Sequence, residues 1–272
     1  MIKRIITGLV GLPIVIAIFV LGNKYVLDVI FAILAIIAMH EYINCVANKD
    51  IKVIKWISYL SVAIISLIHV IPIEYVSQYA YIIIPTIVGL LFMHIIVTDM
   101  KITMNDIVYT LLGMAYLPVF IGFLPLIYGM DARVSGKILI ILLFIASWGT
   151  DVFAYSVGMK FGKHKFSKVS PKKSIEGCIG GTVGAIVMCV LYALAMNYFY
   201  NTEFSLVTVG IISFVLSILS QIGDFSASAI KRHFEIKDFS QLFPGHGGML
   251  DRFDSIIFIA PFAYLLFTTV LL

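Results

Sequence analysis

The sequence predicts an all-α fold: a polytopic transmembrane helix bundle of about nine spans with a cytoplasmic N-terminus. Three observations predict it. Of 272 residues, 61% are hydrophobic and 12% charged, and the mean hydropathy is +1.06, which leaves too little polar surface for a soluble domain of this length. Apolar runs of about 18 residues or more recur, each long enough to cross roughly 30 Å of hydrocarbon as a helix. Basic residues concentrate in alternate interhelical segments, as the positive-inside rule expects. The runs are continuous, whereas a transmembrane barrel would alternate over segments of about ten residues.

The first span, roughly 5–22, holds Gly8, Gly11 and Pro13 and predicts a broken or tilted helix. It follows Lys3 and Arg4 but carries no small-x-small cleavage site, so it reads as a retained helix rather than a signal peptide. No transit peptide or lipidation signal is read. The other spans fall at roughly 25–46, 57–74, 76–98, 106–129, 137–160, 178–199, 205–230 and 254–271. Together they predict one integral membrane domain, 1–272. Residues up to about 135 supply the N-terminal helices, and the remainder supplies the helices and loops that carry the chemistry.

If the spans alternate, one side collects Lys3, Arg4, Lys49, Lys52, Lys55, Lys101, Lys160, Lys163, Lys165, Lys168, Lys172, Lys173, Lys231, Arg232, Lys237 and Arg252. The other side receives Lys24, Arg133 and Lys137. The basic side is therefore predicted to be cytoplasmic, in a multi-pass protein of the cell membrane. The net charge of +4 is small, and no nucleic-acid partner is predicted. Cys45, Cys178 and Cys189 have neither zinc spacing nor a disulfide framework and read as packing residues.

Two cytoplasmic segments carry the candidate chemistry. The first is "SQIGDFSASAIKRHFEIKDFSQLFPGHGGMLDRFD", starting at Ser220. Asp224, Ser228 and Lys231 share a helical face, and a carboxylate at membrane depth is a functional-site hypothesis. The competing structural reading pairs Asp224 with Lys231 or Arg232. Gly245, Gly247 and Gly248 allow a tight turn and close approach to a ligand. Asp251 and Asp254 flank Arg252 at the mouth of the last span. Carboxylates converging on one loop suit Mg²⁺, which takes one or two of them together with substrate phosphates. Lys231, Arg232, Lys237 and Arg252 suit the phosphates. A loop that merely met lipid headgroups would need few carboxylates.

The second segment is "SWGTDVFAYSVGMKFGKHKFSKVSPKKSIEGCIGG", starting at Ser147. Asp151 lies in an apolar helix on one face with Tyr155 and Gly158. Ser174 and Gly177 predict a helix start whose amides favour an anion, beside Lys172 and Lys173. The order of residues is not that of a Walker A loop. The competing reading, positive-inside lysines with small residues for helix packing, leaves Asp151 and Glu176 unexplained. His40 and Glu41 read as local caps or pairs, although they could line the same cavity. His69 and His94 read as interhelical hydrogen-bonding groups, and no nucleophile elbow is present.

These residues resemble the signature of the phosphatidate cytidylyltransferases, or CDP-diacylglycerol synthases. Ser228, Lys231-Arg232, Lys237-Asp238, Ser240, Pro244, His246-Gly247-Gly248 and Asp251-Arg252-Phe253-Asp254 fit every position of its S-x-x-K-R to D-R-x-D pattern. Gly223-Asp224 matches the family's G-D element, and Ser170 to Gly177 resembles its S-P-K-K-[ST]-x-E-G element. The likeness covers most of the C-terminal half; the N-terminal half has no comparably specific motif.

The resemblance implies the reaction of CTP with phosphatidate to give CDP-diacylglycerol and pyrophosphate, in phospholipid biosynthesis. It also implies Mg²⁺ (with Mn²⁺ as a substitute and a monovalent cation beside it as further options), a bilayer-embedded fold and a homodimer. Asp224 and Asp251 become the leading metal ligands, with Asp151 and Asp254 next. Asp224, Asp251, Lys231 and Arg232 are the catalytic candidates. Ser170, Lys172, Lys173, Ser174, Glu176, Ser228, Lys237, Asp238, His246, Gly247, Gly248 and Arg252 are the substrate-binding candidates. Two rivals remain at this point: a CTP-dependent lipid (polyprenol) kinase, and an ion-coupled transporter with Asp151 and Asp224 at the midplane.

Overall fold

Hydrocarbon offers backbone amides no water, so an apolar run that enters it closes its hydrogen bonds internally as a helix. A computed structural model describes residues 18–19, 21–67, 73–131, 134–167, 170–171, 173–243, 245 and 247–271. Among them are eight helices: α1 (Lys24–Ala47), α2 (Lys55–Leu67), α3 (Ile73–Val97), α4 (Met104–Tyr128), α5 (Gly136–Phe161), α6 (Ile175–Tyr200), α7 (Leu206–His233) and α8 (Leu250–Leu266). A π-helical turn, Phe267–Leu271, continues α8. The described residues form no strand, only three isolated β-bridges in loops.

Local chemistry fixes the helix starts. Asn23, Ser174 and Ser205 each accept a first-turn amide of α1, α6 and α7, which satisfies a donor that the helix itself cannot. Thr103 and Asp106 close a reciprocal capping box at α4.

Among the described residues, six helices are long and apolar enough to cross a membrane: α1, α4, α5, α6, α7 and α8 with its π turn. They match the predicted spans 25–46, 106–129, 137–160, 178–199, 205–230 and 254–271 within a few residues. In the region of the predicted spans 57–74 and 76–98 the structure has α2, Lys55–Leu67, and α3, Ile73–Val97; residues 68–72 lie outside the described residues. Most of the predicted span 5–22 lies outside the described residues, as do Arg133, Lys168, Lys172, Pro244 and His246. His69 is likewise outside them.

The bundle has two distinct ends. At one, the α1–α2 loop meets the start of α4 through the Lys52 amide and Asp106 (2.6 Å). Tyr109 of α4 there meets His233 at the end of α7 (3.1 Å). At the other end, Tyr128 and Lys137 both donate to the carbonyl of Gly22. The largest core joins α1, α4, α5, α7 and α8, with Leu27, Leu117, Leu139, Ile256 and Ala260 fully buried. Outward faces carry exposed Ile33, Ile36, Ile179 and Val183, a surface suited to acyl chains.

Candidate active site

The site is built where the 162–174 and 234–249 loops meet the ends of α5, α7 and α8. Its frame begins with glycine. Gly177 and Gly181 share a face of α6, and a Cβ on either would stand 2.7 Å from a carbonyl oxygen of α5, Ala154 and Thr150 respectively. Only small residues permit this approach, and it brings Asp151 of α5 beside the start of α6.

The 162–174 loop is held in a narrow hairpin. Phe166 N–H donates to Lys173 O (3.1 Å), and Ile175 N–H to His164 O (2.9 Å). Glu176 accepts from the amides of Lys163 and His164 and pairs with His164 Nδ1 at 2.6 Å. The Ser174 hydroxyl caps α6 on the Gly177 amide (3.1 Å). Lys173 is thereby aimed at α7, where it forms an ion pair with Asp224. Its ammonium also lies 4.5 Å from the Phe225 ring centroid, and Phe225 stacks on Phe166 at 4.7 Å.

The second loop is organised by Asp251, in the first turn of α8. Its Oδ1 accepts from Lys231 Nζ (2.6 Å), and its Oδ2 accepts from the amides of Phe239 (2.8 Å) and Gly248 (2.9 Å). Gly247 has φ +85°, and a Cβ there would stand 2.8 Å from Asp251 Oδ2. Here the glycine is required by both backbone conformation and space. A second carboxylate arrives from the other half of the chain. Glu41 of α1, 3% exposed, accepts from Ser240 Oγ (2.6 Å) and from the amides of Met249 and Leu250 (2.8 Å each).

Asp224, Ser228 and Lys231 share a face as expected, but they do not act as one group. Ser228 Oγ approaches Asp224 Oδ1 at 3.5 Å, while Lys231 turns to Asp251. The predicted pairing of Asp224 with Lys231 or Arg232 is replaced by Lys173. Asp151 interacts electrostatically with Asp224, Lys173 and Arg252. Asp254, buried one turn into α8, interacts with Asp224, Lys231 and Asp151. Three carboxylates and three cations therefore share one field at this end of the bundle.

Among the described residues no group of three or more His, Cys, Asp or Glu side chains is placed to hold a metal ion. An all-oxygen set that leaves most positions to water and phosphate is what Mg²⁺ uses. Asp224 fits such an ion, because its side chain is 26% exposed and a lysine occupies it. Asp251 fits less directly, because its oxygens already take three donors.

Other candidates occupy the periphery. Ser170 contributes its carbonyl to the Lys173 amide. Arg232, Lys237 and Arg252 are exposed, and Asp238 is half-buried. Lys172 and His246 lie outside the described residues. The reading of Glu41 as a local cap is overturned: its partners lie 199 to 209 residues away. Sequence offered one signal for it, a carboxylate near the end of an apolar helix.

A family model described as "Cytidylyltransferase family" matches residues 2–270. The chain is 34% identical over 260 residues to a phosphatidate cytidylyltransferase of Staphylococcus aureus, covering 95% of each chain. It is 32% identical to the Staphylococcus epidermidis protein of that name, with the same coverage. A Thermotoga maritima protein of that name is 40% identical over 144 residues, 50% of this chain and 51% of that relative.

Proposed function

The chain belongs to the cytidylyltransferase family, and on that premise we infer that it transfers the cytidylyl group of CTP to phosphatidate, giving CDP-diacylglycerol and pyrophosphate. The observation that carries the reading is the pairing of Lys173 with Asp224 and of Lys231 with Asp251 at one end of a membrane bundle. Two lysines seated against carboxylates, beside arginine and glycine-rich backbone, supply what two phosphate-bearing substrates need.

In this reading a phosphatidate phosphate oxygen attacks the α-phosphorus of CTP. The bond from that phosphorus to the bridging oxygen breaks, and pyrophosphate leaves with the electron pair. The nucleophile is already anionic, so no strong protein base is required. The protein's work is positioning and charge stabilisation. Lys173, Lys231, Arg232 and Lys172 hold the phosphates, and Ser228 orients Asp224. Asp224 would hold Mg²⁺ with help from Asp251, Asp151 or Asp254, and the ion would supply positive charge against the substrate phosphates. The resemblance assigns nucleotide contact to His246 with the following Gly247 and Gly248.

The basic end of the bundle is assigned to the cytoplasm, the N-terminus to the same side, and a ninth span to the N-terminal segment. A homodimer completes the proposal. CTP then enters from the aqueous side while the acyl chains remain in the bilayer.

The test is pyrophosphate release by purified protein in detergent with CTP, phosphatidate and Mg²⁺, against omission of each. Release that needs all three supports cytidylyl transfer. Release of CDP with a polyprenol acceptor would replace it with the lipid kinase. Solute uptake by proteoliposomes lacking nucleotide would replace it with transport.

A further inference from the structure

Asp251 and Glu41 divide the entrance to α8 between them. Three successive amides, those of Gly248, Met249 and Leu250, go to these two carboxylates: the first to Asp251, the next two to Glu41. The start of α8 has no side-chain cap of its own, since its N-cap residue is Met249. Unpaired first-turn amides carry partial positive charge, and Glu41 supplies from α1 the acceptor that the local sequence lacks. It also ties down Ser240, whose Oγ in turn accepts from the Leu242 amide (3.1 Å). The fit leaves no slack: a Cβ on Gly248 would stand 2.5 Å from Glu41 Oε1.

We propose that Glu41 is a positioning residue of the active site, which fixes Ser240 and the Met249–Leu250 backbone and through them the Asp251–Lys231 pair. The inference rests on the cytidylyl-transfer reading. It gives the N-terminal half, which lacks any signature motif, a direct mechanical part in the reaction. A buried carboxylate at a membrane-helix end is costly unless fully bonded, and among the described residues each hydrogen bond Glu41 accepts comes from the catalytic segment. Loss of Glu41 would let the start of α8 shift, and a shift of about 1 Å at reacting groups costs on the order of 100-fold in rate.

The experiment compares Glu41→Ala and Glu41→Gln with Asp106→Asn in purified protein. Asp106 is the matched control: it is a carboxylate of the N-terminal half, 4% exposed, that binds backbone amides of Lys52 and Thr103 and none of the residues assigned to the site. Steady-state kinetics and hydrogen exchange are read on each. Glu41→Ala is expected to lower kcat about 100-fold, with the KM for CTP changed less than about threefold because the phosphate-binding lysines remain. The Met249 and Leu250 amides should exchange faster than in the unaltered protein. Glu41→Gln keeps one acceptor oxygen and should fall between, and it carries the test if Glu41→Ala fails to fold. Asp106→Asn should leave kcat unchanged. The proposal is overturned by near-normal kcat in Glu41→Ala, by unchanged exchange at Met249 and Leu250, or by an equal kcat loss in Asp106→Asn. Absence of pyrophosphate release by the unaltered protein would sink the functional reading instead, and the exchange arm would still decide whether Glu41 holds the α8 entrance.

Discussion

Asp224 and Asp251 are the same residue type, each paired with a lysine and each in the same signature region, yet they stand in different environments. Asp224 is 26% exposed, with Lys173 on one oxygen and a long Ser228 contact on the other. Asp251 is 3% exposed and accepts from Lys231 and two backbone amides. One carboxylate is open to a ligand, and the other is built into the loop. Identity in a motif therefore does not fix role; the remaining donors around each oxygen do.

Replacing the two aspartates is the sharpest way to break that comparison. Asp224→Asn and Asp251→Asn should each lower turnover by at least about 1,000-fold, as loss of a principal charge-organising group does. They should part company in stability. Asp251→Asn leaves the Lys231 ammonium, 14% exposed, without its partner, a change that costs about 3 kcal/mol when an ion stays buried. In Asp224→Asn the freed Lys173 can rehydrate, so the melting temperature in detergent should move little. Equal melting shifts, or near-normal activity in either variant, would remove the distinction.

The lysines extend the same contrast at smaller size. Lys173→Met should raise the KM for CTP or phosphatidate about tenfold or more, because a ligand phosphate loses a charged contact. Lys231→Met should lower kcat and melting temperature together, since it also strands Asp251. Gly247→Ala comes next. A side chain at φ +85° costs about 1 kcal/mol, and the new methyl would press on Asp251. Turnover should drop about tenfold, with a measurable loss of melting temperature and an unchanged far-UV circular dichroism spectrum.

Much of this organisation was legible before any coordinates. Long apolar runs define six of the helices within a few residues, because a span in hydrocarbon has no alternative to internal hydrogen bonding. The α6 start at Ser174 was visible as a cap with Gly177 behind it. Tertiary partners were not legible. The partners of Asp224 and Glu41 were missed for a shared reason: helical periodicity reports neighbours three or four residues apart. Lys173 and Ser240 lie in loops whose course depends on tertiary packing.

The smallest expected effect concerns Glu176, which the family pattern places among the substrate-binding residues. Its carboxylate already accepts from the Lys163 and His164 amides and pairs with the His164 ring. His164 is 74% exposed on its side chain, and exposed pairs of this kind contribute little. The loop they fasten is also held by the backbone bonds from Phe166 to Lys173 and from Ile175 to His164. Glu176→Gln and His164→Ala should therefore change kcat by less than about threefold and leave the CTP KM close to normal. A tenfold rise in KM for Glu176→Gln, with His164→Ala unaffected, would mean that the carboxylate serves a substrate or its cation. Equal small losses in both variants would mean that it serves the hairpin, whose purpose is to aim Lys173 at Asp224.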